Sequence, residues 1–212
     1  MSKHAQKKPG TLVISLDFEM FWGMADVLEP LNSAPAMRRV HEVVPRLLKL
    51  FETYGVHATW ATVGGMMAHD DAEFLRYLPK PVAPQTARML DKLGIGQPDG
   101  AKKCPREILY APELIHKVAA TPGQEIGTHT YSHYYCSNAD STPEAFAAEI
   151  RASSSRRAVT ETYGHCTSCA SCMRAVTASV QSSPAMSQAV SKHGMHRPFC
   201  QSSVSYTHLT LP

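Results

Sequence analysis

Short, nearly unbroken apolar runs alternate along this chain with stretches of helical period, the order of strands interleaved with helices. Residues 11–17 run almost continuously apolar up to Asp17 and predict a buried first strand. Val40, Val43, Val44, Leu47, Leu48, Phe51 and Tyr54 then recur at helical spacing. That helix is predicted to begin at Ser33 as N-cap, with Pro35 in its first turn, a kink or break at Pro45, and Gly55 as its stop. Residues 56–63 predict a second strand, followed by Gly64-Gly65 and a short helix capped near Asp70. Residues 79–112 are rich in Pro, Gly and Lys without a clear period. They predict a long loop, either lying over a site or forming a solvated excursion. Residues 113–120 predict a short helix and residues 124–127 a strand. Ser141-Thr142-Pro143-Glu144 opens a helix of capping-box type, expected to run to about residue 162 with Gly164 as its stop. The alternation predicts an α/β fold with a parallel sheet.

A length of 212 residues allows one domain with a sizeable core. The net charge of +3 and pI near 8.5 are mild, and the Lys and Arg residues are scattered rather than striped. No nucleic-acid partner is therefore expected. No apolar stretch approaches the roughly 18 residues of a membrane span. The basic start lacks a long enough apolar run to form a secretory signal, so a cytoplasmic setting is expected. Oligomeric state is not legible from these features.

Two pairs of side chains carry chemistry. Asp17 and Glu19 lie two apart at the end of the first strand, where alternate residues share a face. His129 and His133 follow the later strand Gln124-Glu-Ile-Gly-Thr. Four apart on a helical turn, their imidazoles would point the same way and grip one metal ion. The plainer reading is a solvated acidic pair and two surface histidines.

Ser15-Leu-Asp-Phe-Glu-Met-Phe-Trp-Gly23 and His129-Thr-Tyr-Ser-His133 resemble the two leading motifs of the polysaccharide deacetylase family, built on the NodB homology domain. Gly55-Val-His-Ala-Thr-Trp-Ala-Thr-Val-Gly64 is similar to that family's second barrel strand. The resemblance implies the N-terminal part of a distorted (β/α) barrel with parallel strands, incomplete at its C-terminal end. It implies a metal-dependent hydrolase that removes acetyl groups from an acetylated saccharide by breaking an amide C–N bond. Carried over residue by residue, Asp17 is the general base, and Glu19, His129 and His133 hold a divalent metal, expected to be zinc. Because Phe18 splits a carboxylate pair that is adjacent in much of the family, the roles of Asp17 and Glu19 could be exchanged. Trp22 is placed either against a sugar ring or in the core. The other functional reading is a non-catalytic fragment that binds a divalent ion or a carbohydrate.

Beyond Glu161 the chain contains no Asp or Glu, and serine becomes dense. Such a shift fits a disordered tail, a basic interaction arm or translation in another frame. The family would supply further strand–helix units here, with an Arg-containing motif, a Trp-bearing strand and a late Leu-x-His, and none is recognisable. The chain is accordingly expected to be truncated or frame-shifted after about residue 164, with impaired activity. The organisation expected is a polar tail over 1–10, a partial catalytic domain over 11–164, and a disordered or non-native segment over 165–212. Cys166, Cys169 and Cys172 have spacings that could hold zinc or part of an iron–sulfur cluster, with His165 and Cys200 completing a four-ligand set, but such a site is expected to be accidental.

Overall fold

A computed structural model describes residues 12–98 and 104–160, with side chains to Arg156. The polar tail, Gly164, the cysteine cluster and the segment 165–212 lie outside the described residues. The fold is α/β, as expected. Strands β1 (Ser15–Phe18), β2 (Ala58–Thr62) and β3 (Gln124–Thr128) form a parallel sheet in the order β1-β2-β3. Helices α1 (Pro30–Arg38) and α2 (Val40–Tyr54) separate β1 from β2. Helices α3 (Asp71–Tyr77), α4 (Pro84–Leu93) and α5 (Pro112–Ala120) separate β2 from β3, and α6 (Pro143–Thr160) follows. This is the arrangement of a partial (β/α) barrel.

The register decides where the chain's functional groups emerge. Phe18 pairs with Thr62 and Thr62 with Thr128, so all three strands end in one row. The ladder continues one step further, because Val63 N–H donates to Phe18 O at 3.1 Å and His129 N–H to Thr62 O at 2.9 Å. Glu19 and His129 therefore leave the sheet at one level, at the C-terminal strand ends where parallel sheets place their sites.

The core lies under β2. Trp60 is buried and meets Phe18 and Phe51 edge-on, with ring centroids 5.6 and 6.2 Å away. A second layer joins Trp22, Phe74, Tyr110 and Tyr131. Trp22 is fully buried, stacks on Phe74 at 5.0 Å, and donates its indole N–H to Leu109 O at 2.8 Å. Of its two expected places, it takes the core.

Several local expectations are corrected. The first strand is not buried: Leu12 and Val13 are exposed, and Asp17 points to solvent, because β1 has a sheet neighbour on one side only among the described residues. Ser33 is not an N-cap but lies inside α1, which starts at Pro30 in the first-turn position that suits proline. The break falls at Arg39, whereas Pro45 is carried inside α2. Gly55 ends α2 in the left-handed conformation, φ 62°, as its position predicts.

The stretch 79–112 is not one long loop. It contains α4, bounded by Pro84 and by Gly94 at φ 65°, and it buries Leu90, Leu93, Ile95, Ile108 and Leu109. Among the described residues no helix is long and apolar enough to cross a membrane.

Candidate metal centre

Glu19, His129 and His133 converge although 110 residues separate the first from the second. Each offers one ligand atom, and these atoms lie within 4.8 Å of one another. Glu19 Oε2 stands 3.2 Å from His129 Nε2 and 2.9 Å from His133 Nε2, and the two imidazole centroids are 5.0 Å apart. Burial pushes the Glu19 carboxyl up, but the hydrogen bonds and charges of both imidazoles outweigh it and hold the group at about 2. Glu19 raises His129 from its ordinary value through their hydrogen bond, against the opposing effect of burial, with a smaller contribution from Asp17.

The two histidines face one another for a different reason from the one their spacing suggests. Residues 129–133 form no helical turn. Thr130 and His133 both take the left-handed conformation, at φ 63° and 57°, and with Met20 at 45° they are the non-glycine residues of positive φ among those described. All three flank or belong to the donor set. Backbone strain of this kind persists where the surroundings over-determine it, and it gathers at functional sites.

The surroundings here are explicit. Gly64 and Gly65 donate their N–H groups to Thr130 O and Tyr131 O, both at 2.8 Å. Thr130 Oγ1 accepts from Tyr134 N–H at 2.7 Å, and Thr130 N–H donates to Thr128 Oγ1 at 3.2 Å. Gly65 has no room for a side chain, since a Cβ there would lie 2.4 Å from the Phe74 ring.

The donor chemistry fits a divalent transition metal. Two imidazoles and one carboxylate suit zinc or a similar ion. Gly23 supports the same reading, because its missing side chain is the space into which the Glu19 carboxylate projects. His133 is further oriented by the Tyr135 ring, edge-on at 4.8 Å. Its Nδ1 is buried with no hydrogen-bond partner among the described residues.

Asp17 is placed apart from this cluster. It sits exposed on β1, and the ligand set of three does not include it, yet its charge reaches His129. Beside His133 opens a cavity of about 250 Å³ lined by Asp26, Gln85, Arg88, Lys92, Tyr135 and Asn138 among others. Tyr135 and this cavity carry no periodic signal in the sequence, because their side chains come from two separated loops and α4. Gly23, which also shapes the site, is equally silent in a reading of apolar periods.

A family model described as polysaccharide deacetylase matches residues 32–198, more than half of the chain. The match begins downstream of Asp17 and Glu19. Neither a curated protein nor a solved structure matches the chain significantly.

Proposed function

The chain belongs to the polysaccharide deacetylase family, and on that premise we propose that it removes an acetyl group from an acetylated saccharide with the help of a divalent metal, zinc by the nature of its donors. The family points to a hydrolase acting on carbohydrate. The observation that carries the finer reading is the convergence of Glu19, His129 and His133 beside a cavity whose lining includes charged and amide side chains.

When bound, the ion supplies Lewis acidity that polarises the acetyl carbonyl and acidifies the attacking water. Glu19, His129 and His133 would hold it. Glu19 is committed to both imidazoles, which leaves Asp17 as the carboxylate free to move a proton. Asp17 takes a proton from the water as its oxygen bonds to the acetyl carbon. The C–N bond then breaks, acetate forms, and protonated Asp17 returns the proton to the departing nitrogen. Asn138 and Tyr135 bring an amide and a phenol to the cavity that match the hydroxyls of a sugar, while the buried Gln85 amide is bonded to Tyr135, Ser141 and Asn138 and holds that loop in place. His193, His196 and His208 lie outside the described residues.

Acetate release from N-acetylated and O-acetylated oligosaccharides by the zinc-loaded full chain tests this reading. The wild type is expected to release acetate from an N-acetylated one. Asp17→Asn should retain zinc and lose roughly 100- to 10,000-fold in rate. A zinc-loaded chain that releases none would leave the binding-only reading.

A further inference from the structure

Helix α6 presents an unusual buried stripe. Glu149, Ser153 and Arg156, spaced i, i+4, i+7 on one face, are 2%, 4% and 5% exposed. Arg156 reaches Glu73 and Met67 O, and Ser153 meets Thr128 Oγ1 at 2.9 Å. Glu149 instead enters the loop between the two histidines. Its Oε2 accepts the backbone N–H groups of Tyr131 at 2.9 Å and Ser132 at 2.8 Å, while Oε1 accepts the Ser132 hydroxyl at 2.8 Å.

Tyr131 and Ser132 are fully buried, and the left-handed turns on either side deny them a helical hydrogen-bond ladder. Without Glu149 two buried N–H groups would lack partners, which folded proteins rarely tolerate. A buried carboxylate is itself unfavourable unless donors surround it. Burial does push the Glu149 carboxyl above its ordinary value, against the opposing hydrogen bonds.

Gly64 and Gly65 grip the carbonyls of this loop, and Glu149 grips its N–H groups. The loop is thus fixed from both sides between its two imidazoles.

We infer that Glu149 is a positioning residue that presets the separation of His129 and His133 for a divalent cation. The inference rests on the metal-centre reading and adds to it a residue that touches neither ion nor substrate. Glutamine at this position keeps an acceptor for both N–H groups and offers its amide to the Ser132 hydroxyl. Leucine keeps the volume and removes every acceptor.

Zinc alone, titrated calorimetrically into the full chain, tests this alongside thermal melts of the metal-free proteins. Glu149→Gln should bind within a few-fold of wild type. Glu149→Leu should bind about 10- to 100-fold more weakly, with an altered cobalt(II) visible spectrum. A purely structural role would lower the metal-free melt and leave the zinc affinity of the folded protein unchanged, which overturns the inference. So does a Glu149→Gln protein as weak as Glu149→Leu. Should Glu149→Leu fail to fold, Glu149→Asp decides by the same criteria, since it keeps the charge but withdraws it from the two N–H groups. A wild type that binds no zinc would overturn the metal centre and this inference together. A wild type that binds zinc, with a Glu149→Leu protein that binds it equally well, would overturn the positioning role alone.

Discussion

The absent side chain of Gly23 makes room for the carboxylate of Glu19. A Cβ on Gly23 would lie 1.9 Å from Glu19 Oε1 and 2.1 Å from its carboxyl carbon. Gly23→Ala must therefore displace the carboxylate that both imidazoles face. The expected result is zinc affinity reduced by about tenfold or more, read by zinc titration, with a metal-free melting temperature close to wild type.

The buried state of Trp22 leads to a prediction opposite to that of a sugar-stacking residue. Trp22→Ala is expected to destabilise the protein by about 3–5 kcal/mol through loss of core volume. Trp22→Phe keeps an aromatic ring near Phe74 but removes the donor to Leu109 O, a loss of about 1 kcal/mol. Urea denaturation checks both values. Saccharide affinity lost at unchanged stability would place Trp22 in a groove instead.

The sequence was informative where the relevant signal is local. The strand segments before His129 and around Trp60 become β3 and β2. The helix start before α6 also holds, but the cap is shifted by one residue: Thr142 Oγ1 accepts Ala145 N–H at 3.1 Å, while the Ser141 hydroxyl donates to Tyr135 O at 2.6 Å. Glu19, His129 and His133 could be nominated because strand ends and histidine spacing are written along the chain.

What escaped depended on neighbours distant in sequence. An apolar run does not reveal whether its strand is central or lies at an edge, so β1 was expected to be buried. Helix α4 carries no clear apolar period because its inner face mixes Leu90 and Leu93 with Gln85 and Thr86, although Pro84 and Gly94 mark its ends. The buried stripe of α6 is polar and thus invisible to a search for apolar periods. The spacing of the histidine pair points to a helical turn that the loop does not adopt.

Acid should reveal the contribution of Glu73. Burial raises this carboxyl, but hydrogen bonds from His69 and Arg156, with the Arg156 charge, hold it at about 2, below its ordinary 4.5. A depressed carboxylate contributes stability that is fully present above about pH 4.5 and is lost as the pH falls towards about 2. Arg156→Met removes one source of this depression. Its stability, measured by urea midpoints across that window, should fall less steeply with acid than that of the wild type.

Gly65 tests the clamp on the histidine loop from the other side. A Cβ there would meet the Phe74 ring at 2.4 Å and Tyr131 O at 2.9 Å, and Tyr131 O is backbone that cannot turn aside. Gly65→Ala is expected to lower stability by about 1–3 kcal/mol in chemical denaturation. It should also weaken zinc binding, because Tyr131 lies between the two ligands.

The metal content of the full chain, measured after zinc loading and removal of free ion, bears most directly on the central claim. Wild type should retain one zinc per chain through Glu19, His129 and His133, and His129→Ala and Glu19→Ala should each retain essentially none while Asp17→Asn retains it. Zinc held undiminished by the His129→Ala and Glu19→Ala proteins, or not held by the wild type, would contradict the account.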